Sequence, residues 1–286
     1  MRMDTARVTG EAHAPQQARP VTGRRYLDAV LDQPGSVIAM AHRGGARHPE
    51  IPGIENTMHA FKHAVALGYD YLETDVHATR DGVLLAFHDD VLDRVTDTTG
   101  RLADLEAEQV SAARIRAEHP VPSMAELLEE FPTTRFNIDL KSGTAVQPLA
   151  DLIECTASHD RVLIGSFGQR RLDAFRAATR GRVATSAAPP EVALFLASLS
   201  GRASRLLTRG RVAALQVPHR RGPLRIVTAS LVRRAHAAGA HVHVWTVDEP
   251  DEMDLLLDLG VDGLITDRTD VLKDVLARRG QWREAR

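Results

Sequence analysis

The chain has 286 residues, enough to bury a full core and to build one large α/β domain. Its 36 Lys and Arg against 38 Asp and Glu leave a formal net charge of −2, which excludes a global field that would draw in nucleic acid or anionic membranes. The single cysteine, Cys155, excludes an intrachain disulfide and a thiolate metal cage.

Residues 1–22 mix Arg, Ala, Gln, Pro and His without period and are expected to be poorly ordered, with 23–286 forming one domain. No apolar run resembles a signal-peptide core or reaches the length of a membrane span, so a cytoplasmic protein with no stable membrane insertion is expected. Gly23 to Gln33 reads as a short helix broken at Pro34-Gly35. Strand-like runs follow at 36–41, 69–76, 83–87, 134–140, 161–166, 182–186, 212–217, 241–246 and 261–265. Helical patterns fall at 55–67, 123–131, 145–158, 168–179, 189–199, 228–238, 250–259 and 269–278.

A parallel crossover needs a dozen or more residues, and the gap between 76 and 83 is too short for one. The run 83–87 is therefore an antiparallel hairpin arm. Eight parallel strands remain, each followed by a helix, in a chain of the size of a (β/α)8 TIM barrel. No glycine-rich phosphate fingerprint follows the first strand, which argues against an open doubly wound sheet. Residues 93–120 break the alternation and read as a small insertion, about 91–122, after the second barrel strand and its hairpin.

The second strand run carries Glu73 and Asp75 two positions apart, hence on one face. Two such carboxylates repel unless a cation or a proton lies between them. The turn signal Thr79-Arg80-Asp81-Gly82 follows, then Val83 to Phe87, then His88-Asp89-Asp90. A hairpin closing near Arg80-Asp81 makes paired residue numbers sum to about 161, which lays His88 opposite Glu73. Barrels gather functional groups at the C-terminal ends of their strands. There this sequence places His42-Arg43-Gly44-Gly45, Glu73-Thr74-Asp75, the one-faced set Asn137, Asp139 and Lys141, and Trp245-Thr246.

Three carboxylates without a cysteine suit a hard cation, Mg²⁺ or Ca²⁺. Arg43 and Lys141 suit the oxygens of an anionic group such as phosphate. His42 and His88 titrate near neutrality, so that one can take a proton while the other gives one. Together these groups describe phosphodiester cleavage of a small-molecule substrate. Other features read as structure. His59 and His63 lie four apart on a helix but lack a nearby third ligand, so a solvated face is expected. His241 and His243 share a strand face, and the arginines from Arg202 to Arg225 lack the interleaved aromatics of a nucleic-acid surface. Nothing in the sequence sets an oligomeric state.

The ordered set His42-Arg43-Gly44, Glu55-Asn56-Thr57, Glu73-Thr74-Asp75-Val76, Thr79-Arg80-Asp81-Gly82, His88-Asp89, Asp139-Leu140-Lys141, Trp245-Thr246-Val247 and Val261 to Asp267 resembles the glycerophosphodiester phosphodiesterases. The resemblance implies a (β/α)8 barrel that releases glycerol 3-phosphate and an alcohol from glycerophosphodiesters. It implies His42 and His88 as catalytic residues and Glu73, Asp75 and Asp139 as holders of a divalent cation. It also implies Arg43 and Lys141 on the phosphate, Trp245 lining the alcohol side, and Glu55 orienting site groups. Many members carry Glu where this chain has Asp139, whereas the related spider-venom sphingomyelin-cleaving phospholipases have Asp. Lysophospholipase D-like or sphingomyelinase D-like headgroup cleavage and a non-catalytic phosphate-binding barrel are the alternative readings.

Overall fold

The computed structural model describes residues 19–33 and 35–283. Eight parallel strands form its centre: β1 (Ile38–His42), β2 (Tyr71–Ala78), β3 (Arg135–Leu140), β4 (Val162–Gly165), β5 (Ala184–Thr185), β6 (Ala214–Pro218), β7 (His241–Trp245) and β8 (Gly263–Thr266). Their order in space is β5-β4-β3-β2-β1-β8-β7-β6. The two ends meet at a parallel bridge between Ser186 and Ala214. There the Ala213 amide donates to the Thr185 carbonyl at 2.9 Å and the Ala187 amide to the Ala214 carbonyl at 2.8 Å. These bonds close the sheet into the expected (β/α)8 barrel.

Eight helices follow the eight strands where the apolar periodicity put them: Met58–Ala66, Met124–Glu130, Val146–Cys155, Gln169–Ala178, Pro189–Ala197, Ala229–Ala238, Pro250–Asp258 and Thr269–Arg278. A further helix, Gly201–Leu207, lies where no helix was expected, at the start of the arginine-rich stretch. It is started by the Ser200 hydroxyl, which accepts from the Ala203 amide at 3.2 Å. Gly201 lets it approach Ala229–Ala238 closely, because a Cβ there would fall 2.6 Å from Ala237. Tertiary contact, rather than pattern, makes this helix.

The period of two sorts each strand into an outer and an inner row. Ala39, Ala41, Leu72, Val76, Phe136, Ile138, Leu140 and Ile164 belong to the large cluster beneath the helices. Ile38, Met40, Tyr71, Leu163 and Ile265 belong to a separate lumen cluster. Tyr26, Leu27 and Val30, from Arg25–Asp28 and the 3₁₀ turn Ala29–Asp32, join that cluster and close the N-terminal end of the barrel. The Tyr71 hydroxyl donates to the Tyr26 carbonyl at 2.7 Å, and the two rings meet edge to face at 5.2 Å. Of the segment expected to be poorly ordered, residues 1–18 lie outside the described residues, and Arg19 stands 3.5 Å from the buried Asp262. No helix among the described residues is long and apolar enough to cross a membrane.

The hairpin arm Leu84–Ala86 pairs antiparallel with β2, but Val76 faces Ala86, one residue beyond the expected register. The turn is a three-residue loop, Arg80-Asp81-Gly82, closed by the Thr79 amide on the Val83 carbonyl at 3.0 Å, with Gly82 at φ 86°. In this register an extended strand would put His88 opposite Thr74, on the wrong face. The last bond of the pairing instead runs from the Phe87 amide to the Asp75 carbonyl at 3.0 Å and the chain bends at 88–90, so His88 does not face Glu73 as a paired strand residue. The insertion that follows has its own apolar cluster of Leu92, Leu102, Val110, Ala113 and Ile115, packed on Leu85 and Phe87 of the hairpin.

Between Gln169–Ala178 and Pro189–Ala197, the Arg176 guanidinium donates to both Glu191 oxygens at 2.7 and 3.1 Å, to Thr185 Oγ1 at 2.9 Å and to the Ser186 carbonyl at 3.3 Å. Both side chains are buried. Among the described residues, removing Glu191 leaves the buried guanidinium only the exposed Asp173 carboxylate, at 3.4 Å, as counter-charge. Glu191→Ala is therefore expected to lower the unfolding free energy by about 3–5 kcal/mol in urea titrations. An unchanged midpoint and slope would show that water replaces the carboxylate without cost.

Candidate active site

The inner rows change from apolar to polar toward the C-terminal ends of the strands, and the strand register sets the pattern. His42 pairs with Glu73 across β1 and β2. Glu73 pairs with Asn137, and Asp75 with Asp139, across β2 and β3. Asp139 pairs in turn with Gly165, which has no side chain to fill the space above. The result is a cavity of about 670 Å³ whose lining includes His42, Arg43, Glu73, Asp75, His88, Asp139, Lys141 and Trp245. Those eight residues of the sequence-derived set thus converge. Glu55 stands behind the wall and holds Arg43 at 3.1 Å.

The carboxylates are arranged with two cations. Lys141 Nζ lies 2.8 Å from Asp75 and 2.7 Å from Asp139, and Arg43 Nε lies 3.1 Å from Asp75. Burial works against charge on Asp75, but Lys141 and Arg43 outweigh it and hold its pKa below the usual aspartate value. Burial also works against charge on Lys141, and Asp75 and Asp139 outweigh it and raise its pKa. Among the described residues, Glu73 has no lysine or arginine head group paired with it; it accepts the Arg43 backbone amide at 3.1 Å and lies 3.8 Å from His42 Nε2. Burial and the neighbouring Asp75 push its carboxyl up to about 7.

The two histidines share one arrangement. His42 Nδ1 is 2.9 Å from Asp267 Oδ1, and His88 Nδ1 is 2.6 Å from Asp89 Oδ1. A carboxylate at Nδ1 fixes the tautomer and leaves Nε2 for other partners. His42 Nε2 stands 3.8 Å from Glu73. Burial disfavours the charged His42 ring, yet Glu73 and Asp267 overcome this and raise its pKa above the ordinary histidine value.

Several residues that position these groups were not assigned a role from sequence. Asn56 donates to Asp75 at 3.3 Å and accepts from Thr74 Oγ1 at 2.8 Å. Arg94, from the insertion, reaches Asp89 and Glu55, each at 2.6 Å. Burial opposes charge on Asp89, but Arg94 and His88 lower its pKa to about 2. Phe167 stands edge-on to Trp245 at 5.8 Å and forms the apolar side of the cavity with Val192, Leu196 and Ile226. Asp267 closes the quoted motif Val261 to Asp267, but nothing local pairs it with His42, 225 residues away. The Gly44 of the first motif does have a local reason: its φ is 85°, and a Cβ would lie 2.7 Å from Ala60.

Residues 42–271 match the model of the glycerophosphoryl diester phosphodiesterase family. The chain belongs to this family. It is 43% identical over 251 residues to "Probable glycerophosphodiester phosphodiesterase 2" of Mycobacterium tuberculosis, covering 87% of this chain and 94% of that protein. A crystal structure from Silicibacter pomeroyi shares the fold with TM-score 0.76 at 22% identity, covering 91% of this chain and all of the other. An Oleispira antarctica phosphodiesterase, solved with the product sn-glycerol-3-phosphate, gives TM-score 0.70 at 20% identity over 84% of this chain and 96% of its own. As a glycerophosphoryl diester phosphodiesterase the chain is an enzyme, a phosphoric diester hydrolase.

The unfolded Glu73 carboxyl loses its proton near the usual 4.5, whereas the folded one keeps it to about 7. Folding therefore binds a proton in that window, and this group's contribution to stability falls as pH rises through it. In EDTA, Glu73→Gln is expected to be more stable than wild type at pH 8 by on the order of 1–3 kcal/mol, with the gap closing toward pH 4.5. Parallel stability–pH curves for the two proteins would remove the buried-charge account of Glu73.

Proposed function

We propose that this family member hydrolyses water-soluble glycerophosphodiesters to glycerol 3-phosphate and an alcohol in the cavity described above. The observation that carries the reading is the pair of histidines, each held at Nδ1 by an aspartate, beside a wall of three carboxylates and two cations. Family enzymes generally depend on a divalent cation. The hard oxygen donors Glu73, Asp75 and Asp139 fit Mg²⁺ or Ca²⁺, and Glu73, whose pKa burial and Asp75 raise, has no lysine or arginine head group paired with it among the described residues. When bound, such a cation neutralises phosphoryl charge and acts as a Lewis acid.

The chain's own groups divide the remaining work. Arg43 and Lys141 bind phosphate oxygens, since both are cations on the cavity wall. One histidine removes the proton from the glycerol 2-hydroxyl as its oxygen forms a bond to phosphorus. The other gives a proton to the leaving alcohol oxygen as its P–O bond breaks. The product of that step is a cyclic phosphate and a free alcohol. Water then opens the ring with the two roles exchanged, which yields glycerol 3-phosphate and restores both protonation states. Trp245 and Phe167 contact the alcohol side, and Glu55 and Arg94 act as positioning residues through Arg43 and Asp89.

Two measurements test this reading. Glycerol 3-phosphate release from glycerophosphocholine is expected to stop in EDTA and to return with Mg²⁺ or Ca²⁺; release that ignores EDTA would exclude the cation. His42→Ala and His88→Ala are each expected to lower turnover by at least about 10²–10⁴-fold with the fold intact by circular dichroism. Near-normal turnover in either variant would remove that histidine from the proton-transfer pair.

A further inference from the structure

A second cluster of ligand-type side chains lies outside the cavity. Among the described residues, His48, Glu50 and His63 each offer a ligand atom, and these atoms lie within 4.8 Å of one another. None of the three lines the catalytic cavity. His48 and Glu50 belong to the loop after β1, and His63 to the helix Met58–Ala66. We propose that His48, Glu50 and His63 form a separate transition-metal site, of the zinc class, that clamps this loop to the helix.

The donor chemistry separates the two sites. The cavity offers carboxylate oxygens and suits a hard cation, whereas this cluster offers two imidazoles and one carboxylate. Three protein ligands of that kind, with solvent completing the shell, are a common zinc arrangement. The His48 and His63 rings stand 4.4 Å apart, and His63 Nε2 already touches Glu50 Oε2 at 2.9 Å. His63 Nδ1 is buried without a hydrogen-bond partner. Zinc bonds of about 2.0–2.2 Å need the donors drawn closer than they stand, and the exposed Glu50 side chain can swing to do this.

The sequence offered His59 as the partner of His63. The fold turns His59 toward His119 instead, with ring centres 5.3 Å apart, and brings His48 and Glu50 from the preceding loop. That loop also carries Arg43 and Asn56, which contact Asp75, and Glu55, which holds Arg43. A metal here would stiffen the segment that carries Arg43 and its partner Glu55 while taking no part in the reaction.

The test uses the full chain, stripped with chelator, dialysed and saturated with Mg²⁺, then titrated with Zn²⁺ by calorimetry. His63→Ala and Glu50→Ala are each expected to bind one equivalent fewer than wild type and to lose the zinc-dependent rise in melting temperature. Co²⁺ in place of Zn²⁺ is expected to give a visible absorption band in wild type that these variants lack. Circular dichroism without metal checks folding, and the exposed Glu50 position serves if His63→Ala does not fold. Equal stoichiometry in wild type and the folded variants, or no zinc uptake by wild type, would overturn the proposal and leave only a His63–Glu50 ion pair.

Discussion

Three carboxylates facing one barrel lumen are the constraint that organises the upper half of this molecule. Glu73, Asp75 and Asp139 sit on neighbouring strands at paired or adjacent positions, and Glu73 and Asp75 are almost wholly buried. Unpaired charges in such a place cost several kcal/mol each, so the surroundings must supply cations. Lys141 bridges two of the three, and Arg43 touches one. Each cation is itself held: Arg43 by Glu55, Glu55 by Arg94, and Arg94 by Asp89, which holds His88. A chain of alternating charge thus runs from Asp75 in the cavity to the hairpin histidine.

That chain explains why an insertion follows the hairpin. A hairpin arm alone, in the register this one adopts, would turn His88 to the outer face. The arm stops at Ala86, and the insertion packs its own apolar cluster on Leu85 and Phe87, so the turn at 88–90 is braced from outside. The insertion also provides Arg94. It therefore acts twice on one histidine, through packing and through charge. His42 needs no such help, because β1 delivers it and the segment just past β8 provides Asp267.

Much of this was legible in the sequence because a barrel strand writes its two faces alternately. All eight strand runs and the helices after them were readable from apolar periodicity, and the polar inner row showed as polar residues at every second position from Asn137 to Lys141. Two kinds of feature were not readable. Gly201–Leu207 depends on close contact with Ala229–Ala238, to which its own sequence gives no clue. The hairpin register depended on whether the loop held two or three residues, and the left-handed Gly82 decided for three. The pairings of Asp267 with His42 and of Arg94 with Glu55 became visible only once distant segments met.

The same barrel supports two different demands on stability. Its N-terminal half is filled by Tyr26, Met40, Tyr71, Leu163 and Ile265, an apolar plug that gains from burial at every contact. Its C-terminal half keeps a glutamate whose pKa is pushed up to about 7, which folding alone would not favour at neutral pH. The two halves are written on the same strands: β1 carries Met40 in the plug and His42 in the cavity, and β2 carries Tyr71 and then Glu73. A strand displaced by one residue would exchange its lumen row for its helix-facing row. The apolar plug therefore sets the register that places the charges, and its burial offsets the electrostatic cost of holding them together.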